Sequence, residues 1–214
     1  MSLYVILLGG RLVVTDRLKH QISGARFIAA DGGMEHALSL GVMPEAWVGD
    51  FDSTNAALLE RFPGIARETH PAEKELTDGE LAVRTALAAG ASRIILAGAM
   101  GGSRSDHSIA HQLHAVSLAE AGHAVSLTSG DEEGYPLVPG ALTLDLPQGS
   151  LFSVMGFSRL EALSIRNARY PLDNFDLGFG SSRTLSNVAE GEVTFSLRAG
   201  RAMILARPYD MTGV

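Results

Sequence analysis

Short apolar runs alternate with stretches of helical periodicity over the first 130 residues of the chain. The apolar runs predict buried strands at residues 3–8, 26–30, 47–48, 93–97 and 124–128. The helical stretches predict helices at residues 34–40, 54–61, 81–89 and 106–121, and three of them run into Gly41, Gly90 and Gly122. Strands that alternate with helices of this length are typical of βαβ units, so we predict a mostly parallel sheet.

The pattern changes after residue 130. Residues 131–140 are polar and rich in turn formers, and we predict that they form a bridge. Five short apolar runs without a helical period follow, at residues 142–146, 151–155, 160–165, 193–197 and 201–206. Short strands of this kind are typical of a small antiparallel sandwich or barrel. We therefore predict an α/β N-terminal domain over residues 1–132 and a small all-β sandwich domain over residues 133–214.

Composition narrows the classes of function. Hydrophobic residues make up 46% of the 214 residues and charged residues 19%, which favours a packed globular protein over a disordered one. The net charge of −7 argues against a nucleic-acid partner, because such binding depends on lysine and arginine that neutralise phosphates. A small anion such as ATP remains compatible if a divalent cation lies between its charge and the acidic side chains.

The chain contains no cysteine, which rules out disulfides, thiolate zinc sites and cysteine nucleophiles. The apolar run at residues 3–8 lacks a basic leader and is shorter than the roughly 20 residues of a membrane span. We interpret it as a buried strand, and we predict a cytoplasmic protein without a membrane partner.

Polar residues and glycines gather where the predicted strands of the first domain end. They are Asp31, Gly32 and Gly33 after the second strand, Asp50 and Asp52 after the third, Lys74 and Asp78 before a helix, and Gly101, Gly102, Arg104, Asp106 and His107 after the strand at residues 93–97. Ligands of open parallel sheets bind outside the carboxyl ends of the strands, so this placement predicts a site there.

The aspartates suggest a hard cation. Asp50 and Asp52, two residues apart in an extended turn, would place both carboxylates on one side, as an oxygen-ligated metal requires. The alternative is a helix cap beside a solvated acid. Asp31 and Asp78 at the same sheet edge would repel this pair unless a metal or protons compensate, which favours a Mg²⁺-nucleotide site.

The glycine turns at residues 31–33 and 98–102 would let backbone N–H groups approach phosphate closely. Neither a P-loop nor a Gly-x-Gly-x-x-Gly dinucleotide motif is present. Any nucleotide is therefore expected to bind in a less common way.

Several motifs together resemble the ordered motifs of thiamine pyrophosphokinases. They are Ala30-Asp31-Gly32-Gly33, Gly49-Asp50-Phe51-Asp52-Ser53, Lys74-Glu75-Leu76-Thr77-Asp78, Gly101-Gly102 with Asp106-His107, Tyr170-Pro171-Leu172, and Ser186-Asn187. The resemblance extends from Leu3 to about Ala206. The sequence departs from the family pattern at Glu75, at an inserted Ser103, at His111 and at Val188.

The resemblance implies an ATP-binding N-terminal domain, a thiamine-binding β-sandwich and a homodimer with the thiamine pocket between subunits. The implied metal and phosphate ligands are Asp50, Asp52 and Asp78, with Mg²⁺ as the metal. The implied nucleotide-side residues are Asp31, Gly32, Gly33, Lys74, Gly101, Gly102, Arg104 and His107. Ser186 and Asn187 would contact thiamine.

The implied reaction is attack of the thiamine hydroxyl on the β-phosphorus of ATP. The implied catalytic residues are Asp50, Asp78 and Asp106, and either Asp78 or Asp106 would accept the proton.

Two other functions are compatible with parts of the pattern. Asp50-Phe51-Asp52-Ser53-Thr54 also fits the Asp-x-Asp-x-Thr motif of haloacid-dehalogenase-like phosphatases, in which Asp50 would be the nucleophile. A non-catalytic nucleotide sensor is the other alternative. A zinc site at His107, His111 and His114 is disfavoured, because His107 and His114 would lie about 10 Å apart along one helix.

Overall fold

A computed structural model describes residues 2–51, 56–69 and 75–212 of the chain. The chain forms two compact units. The first contains the chain up to His114 together with His123–Gly130, and the second contains Ala115–Gly122 and the chain from Asp131 onward.

The first unit is built on six parallel strands. They are β1 (Leu3–Leu7), β2 (Arg26–Ala30), β3 (Ala46–Gly49), β4 (Ala66–Thr69), β5 (Arg93–Ala97) and β6 (Ala124–Thr128), in the spatial order β6-β5-β1-β2-β3-β4. From β1 the chain moves outward through β2, β3 and β4 and then returns to the other side with β5. The strand order therefore reverses beside β1, and such switch points are where open α/β sheets bind ligands.

Helices connect these strands. They are α1 (Asp16–Gln21), α2 (Met34–Leu40), α3 (Ala56–Arg61), α4 (Asp78–Ala88) and α5 (Ser105–Glu120), and a 3₁₀ turn at Asp31–Gly33 precedes α2. The predicted helices at residues 34–40, 81–89 and 106–121 are confirmed within a few residues. Helix α1 and strand β4 escaped the sequence analysis, because each is short and β4 alternates only weakly.

Local sequence explains where the helices start and stop. Thr77 and Glu80 form a reciprocal capping box, in which Thr77 N–H donates to Glu80 Oε2 at 2.9 Å and Glu80 N–H donates to Thr77 Oγ1 at 3.3 Å. Helix α2 ends at Gly41, whose φ of 67° is the left-handed conformation that glycine tolerates.

The core of the first unit forms from the central strands. The side chains of Val5, Leu7, Trp47 and Ile95 are at most 2% exposed and pack with residues of α1 and α2. Strands covered on both faces are expected to be apolar throughout, which explains why the sequence shows runs rather than alternation.

The second unit is entirely antiparallel where its strands pair with one another. Its strands are β7 (Glu133–Leu137), β8 (Gly140–Leu144), β9 (Leu151–Gly156), β10 (Leu160–Ala168), β11 (Leu172–Leu177), β12 (Asn187–Leu197) and β13 (Ala202–Arg207). They form the sheets β7-β13-β9-β12 and β11-β10-β12-β8, which share β12. The predicted fold class, an α/β domain followed by a small all-β sandwich, is confirmed. The exact domain limits at residues 132 and 133 stay a prediction.

Three parts of the second unit differ from the sequence analysis, and one of them is strand β11, which none of the five predicted runs covers. The predicted bridge at residues 131–140 contains strand β7, in which Glu133 is 1% exposed and accepts a hydrogen bond from the Tyr135 hydroxyl at 2.6 Å. The buried Glu133 and Pro136 interrupt the apolar pattern from which strands were predicted. Strand β12 begins at Asn187, six residues before the predicted start, because its first residues pair with β9 rather than with β8.

Phe195 is expected to be a main contributor to the stability of the second unit. It is fully buried, with its ring edge-on to Phe152 at a centroid distance of 5.4 Å. Phe195→Ala should lower the free energy of unfolding by about 3–5 kcal/mol. Phe179, which is 75% exposed, provides the matched control, and Phe179→Ala should change it by less than about 0.5 kcal/mol. Equal effects in denaturant titrations would contradict the described core.

Candidate active site

A cavity of about 550 Å³ opens at the carboxyl ends of β1, β2, β3 and β5, beside the switch point. Acidic side chains, histidines and glycine turns line it. Its lining includes Gly9, Gly10, Asp31, Gly32, Asp50, Thr77, Asp78, Gly79, Gly98, Gly101, Ser103, Arg104, His107, Ser108 and His111. The sheet thus gathers residues from segments far apart in the sequence.

Most of the residues predicted for the nucleotide and metal side lie together here. Asp31, Gly32, Asp50, Asp78, Gly101, Arg104 and His107 line the cavity. Gly33, Gly102 and Asp106 are close to it along the chain but do not line it. Asp52 and Lys74 lie outside the described residues.

The sequence analysis missed part of the lining. Gly9, Gly10 and His111 were not proposed as site residues, although all three line the cavity, whereas Gly98 belongs to the predicted glycine turn at residues 98–102 and lines it as well. The Gly9-Gly10 pair directly after β1 was the available signal, because the glycines at the ends of other strands were predicted to let the backbone approach phosphate. His111 follows His107 by one helical turn, which is a second signal.

The turn after β2 is held by a buried tryptophan. Asp31 adopts a left-handed conformation with φ of 44°, and its carbonyl accepts a hydrogen bond from Trp47 Nε1 at 2.9 Å. Trp47 is fully buried and its ring meets Phe51 edge-on at 5.1 Å. The indole therefore connects the Asp31 turn with the chain that follows Asp50.

The turns after β1 and β5 run against each other. Gly10 N–H donates to the Gly98 carbonyl at 3.0 Å, and a Cβ on Gly10 would lie 2.3 Å from that oxygen. Gly98 has φ of 75°, and a Cβ there would lie 2.3 Å from the Leu8 carbonyl. Because a methyl group does not fit at either position, this wall of the cavity requires glycine.

Asp78 is the first residue of α4, where the partial positive charge of the helix N-terminus favours a carboxylate. The capping box at Thr77 and Glu80 holds this helix start in place. Gly79 next to it brings the helix close to β1 and α5, since a Cβ there would lie 2.9 Å from Leu8 Cδ2 and 3.6 Å from His111 Nε2.

Arg104 and Asp106 form a bidentate ion pair. Arg104 Nε donates to Asp106 Oδ1 at 3.0 Å and Nη2 donates to Oδ2 at 2.7 Å. The side-chain hydrogen bonds from Arg104 hold the pKa of Asp106 far below its usual range, although partial desolvation opposes this. Asp106 is consequently a poor proton acceptor in this arrangement.

His111 has a defined tautomer. Its Nδ1 lies 3.2 Å from the Ala99 carbonyl, which can only accept, so Nδ1 carries the hydrogen and Nε2 is an acceptor. Burial lowers the pKa of His111, and the charge of His107 lowers it further, while the Ala99 carbonyl raises it. Burial thus favours the neutral imidazole of His111.

The second unit has a separate pocket of about 390 Å³. Arg169, Tyr170, Pro171, Leu172, Arg183, Thr184, Leu185 and Asn187 line it. The sequence analysis placed Ser186 and Asn187 on the thiamine side. Asn187 lines this pocket, whereas Ser186 is exposed, has φ of 57° and donates its N–H to Ser153 Oγ at 3.0 Å.

Comparison with known families identifies the two regions. The family model described as thiamin pyrophosphokinase, catalytic domain, matches residues 18–126, and the one described as thiamin pyrophosphokinase, vitamin B1 binding domain, matches residues 142–201. The chain belongs to the thiamin pyrophosphokinase family. The resemblance stated from its motifs is confirmed, and so is the prediction that it is an enzyme of this family.

Solved structures agree with this assignment. A thiamin pyrophosphokinase from Geobacillus thermodenitrificans is 26% identical with a TM-score of 0.80, and the match covers 100% of both chains. The Bacillus subtilis protein is 23% identical with a TM-score of 0.85, over 98% of this chain and 100% of that one. Yeast thiamin pyrophosphokinase is 11% identical with a TM-score of 0.79, over 97% and 86%. The last two likenesses establish the shared fold.

A comparison with curated protein sequences gave no match. Within the described part of the chain, no helix combines the length and apolar character needed to cross a membrane. The cytoplasmic location stays a prediction.

The two glycines after Asp31 are expected to act differently. A Cβ on Gly33 would lie 2.0 Å from the Leu7 carbonyl, whereas one on Gly32 meets no atom within 4 Å. Gly33→Ala should therefore reduce stability by about 1–3 kcal/mol or more, because backbone must move. Gly32→Ala should stay within about 0.5 kcal/mol of the unmodified protein. Thermal or denaturant unfolding measures both, and an equally stable Gly33→Ala variant would contradict the packing of this turn.

Proposed function

We propose that this chain transfers a pyrophosphoryl group from MgATP to the hydroxyl of thiamine, giving thiamine diphosphate and AMP. Membership of the thiamin pyrophosphokinase family supports the substrate pair. The observation that carries the chemistry is the cavity at the switch point, where Asp31, Asp50 and Asp78 meet the glycine turns.

The glycine turns suit the triphosphate. Gly32 and Gly101 line the cavity, and a Cβ on Gly32 would meet nothing within 4 Å, so a ligand can approach the backbone there. Backbone N–H groups in such turns bind phosphate oxygens without requiring a lysine-containing P-loop. Arg104 at the rim adds a guanidinium, although Asp106 neutralises part of its charge.

The acidic residues fit Mg²⁺. This ion takes oxygen ligands and usually keeps waters, with one or two protein carboxylates and the substrate phosphates completing its coordination. No group of three His, Asp or Glu residues poised to hold a metal occurs among the described residues. We propose Asp50 and Asp78 as ligands with Asp52 as a third, and when bound the ion would neutralise phosphate charge.

The reaction requires the protein to position thiamine and ATP and to provide a proton acceptor. The thiamine hydroxyl oxygen forms a bond to the β-phosphorus, and the bond from that phosphorus to the oxygen bridging it to the α-phosphorus breaks. AMP leaves with the bridging oxygen, and the hydroxyl proton passes to a carboxylate. We propose Asp78 as the acceptor, because Arg104 occupies both oxygens of the other candidate, Asp106.

We propose the pocket of the second unit as the subsite for thiamine's aminopyrimidine ring. Tyr170, Pro171, Leu172 and Leu185 provide apolar surface for a flat ring. The Arg183 guanidinium, which lies 4.9 Å from the Phe175 ring centroid, makes this wall positive and disfavours the cationic thiazolium. The neutral ring is therefore the better occupant.

One assay tests the proposed function directly. The protein is incubated with MgATP and a panel of heterocyclic alcohols including thiamine, and products are identified by mass spectrometry. We expect AMP and thiamine diphosphate in equal amounts. Release of inorganic phosphate without AMP would instead indicate the phosphatase alternative, and binding of ATP without turnover would indicate the sensor.

Replacing the acidic ligands should abolish turnover without unfolding the protein. Asp50→Asn and Asp78→Asn should each lower kcat at least about 100-fold, because charge neutralisation at the phosphates is lost. Asp106→Asn should cost much less. Asp16→Asn, at a fully exposed aspartate side chain of α1, is the control and should leave kcat unchanged. Full activity of the double variant Asp50→Asn, Asp78→Asn would refute the assignment.

We also propose that the active form is a homodimer whose thiamine site is completed by the partner subunit, as the resemblance implies. Mixing Asp50→Asn protein with Asn187→Ala protein after subunit exchange, at a thiamine concentration well below its KM, tests this. If the two defects fall in one of two shared sites, the other site is intact and activity should rise to about a quarter of the unmodified level. Activity equal to the average of the two variants at every mixing ratio would exclude a shared site.

A further inference from the structure

The side chain of Asn187 is almost completely engaged inside the second unit. Its Oδ1 accepts hydrogen bonds from Tyr170 N–H at 3.0 Å and from Val188 N–H at 2.9 Å. Its Nδ2 donates to the Tyr170 carbonyl at 2.9 Å. The residue is 4% exposed.

These bonds leave little for a ligand. An asparagine side chain offers two acceptor sites on Oδ1 and two N–H groups on Nδ2. Both acceptor sites and one N–H are already used by the backbone, so at most one N–H remains for a substrate. This differs from the direct thiamine contact that the family resemblance implies for Asn187.

The bonds instead define the position of Tyr170. Tyr170 lies in the segment between the end of β10 at Ala168 and the start of β11 at Leu172. The side chain of Asn187 forms hydrogen bonds with both the N–H and the carbonyl of Tyr170, as the backbone of a neighbouring strand would. Arg169 N–H donates to the Val188 carbonyl at 3.0 Å and extends this pairing by one residue. The wall of the pocket is thus attached to the first residues of β12.

The consequence concerns the Tyr170 side chain. It is 62% exposed and lines the pocket, so little else restrains it. Fixing its backbone at two points fixes the direction in which the ring leaves the chain. A preformed wall lowers the entropy that a ligand loses on binding.

We propose that Asn187 is a positioning residue, which builds the thiamine subsite by holding Tyr170 and does not itself recognise the substrate. The proposal rests on the proposed function of this pocket. Under this proposal, Tyr170 and its neighbours contact the thiamine ring. Asn187 keeps the backbone of this pocket wall in one conformation.

A double-mutant cycle separates the two roles. Asn187→Ala and Tyr170→Ala should each raise the KM for thiamine about tenfold, with the KM for ATP nearly unchanged. If Asn187 acts through Tyr170, the double variant should be no worse than about tenfold, since the ring that Asn187 positions is already gone. A multiplied effect of about 100-fold would mean that Asn187 contacts thiamine independently and would overturn the proposal.

Amide hydrogen exchange provides a readout that does not depend on activity. Exchange of the Tyr170 N–H should accelerate strongly in Asn187→Ala, because its acceptor is removed. Asn167→Gly is the matched control, since Asn167 is an exposed asparagine of β10 whose Nδ2 donates to the Glu192 carbonyl at 2.9 Å and whose φ of 58° glycine tolerates. That variant should leave both the thiamine KM and Tyr170 exchange unchanged. Unaltered exchange of Tyr170 in Asn187→Ala would also overturn the proposal.

If Asn187→Ala does not fold, Asn187→Asp replaces it in the same cycle, because a carboxylate still accepts from Tyr170 and Val188 while its second oxygen opposes the Tyr170 carbonyl instead of donating to it. Failure of the proposed function gives a different result. The unmodified protein would then form no AMP with thiamine, while the exchange experiment would still decide whether Asn187 holds Tyr170.

Discussion

The candidate active site depends on close contacts between backbone turns at the carboxyl ends of β1, β2 and β5. These turns approach one another more closely than side chains at the contacting positions would permit. Gly10 and Gly98 lie back to back, each with the other segment's carbonyl where its Cβ would be. Gly33 lies against the Leu7 carbonyl in the same way. These contacts bring the ends of three strands within reach of one ligand, so the cavity is a product of backbone packing.

Charge then determines what can occupy this cavity. Asp31, Asp50 and Asp78 all line this cavity, in a chain whose net charge is −7. The N-terminus of α4 favours the Asp78 carboxylate, but a shared cavity of acids still binds a nucleotide poorly without a cation. The proposed magnesium-bound triphosphate would resolve this conflict, because the ion and the phosphates would satisfy the acids and the glycine turns together.

The second unit handles its polar groups differently. Asn187 is buried and pairs with the backbone of Tyr170, and Glu133 is buried with a hydrogen bond from Tyr135. Buried polar side chains are stable when they are hydrogen-bonded, and here they connect strands that turns alone would leave loosely aligned. Buried polar side chains in this unit therefore connect its strands, and one of them, Asn187, also lines the pocket.

The sequence alone determined the fold class and the family, because these depend on local signals: apolar runs, and acids or glycines at strand ends. It also identified Asp31, Asp50 and Asp78, which the sheet does bring to one cavity. It did not reveal β7, whose buried Glu133 breaks the apolar pattern, nor the bond that commits Asp106 to Arg104. It named Asn187 but not its partners. Its main partner, Tyr170, lies 17 residues away, and which hydrogen bonds a side chain makes across that separation is decided only when the strands pair. Tertiary packing determines which polar groups remain available for a ligand, and the residues next to each group in the sequence do not determine this.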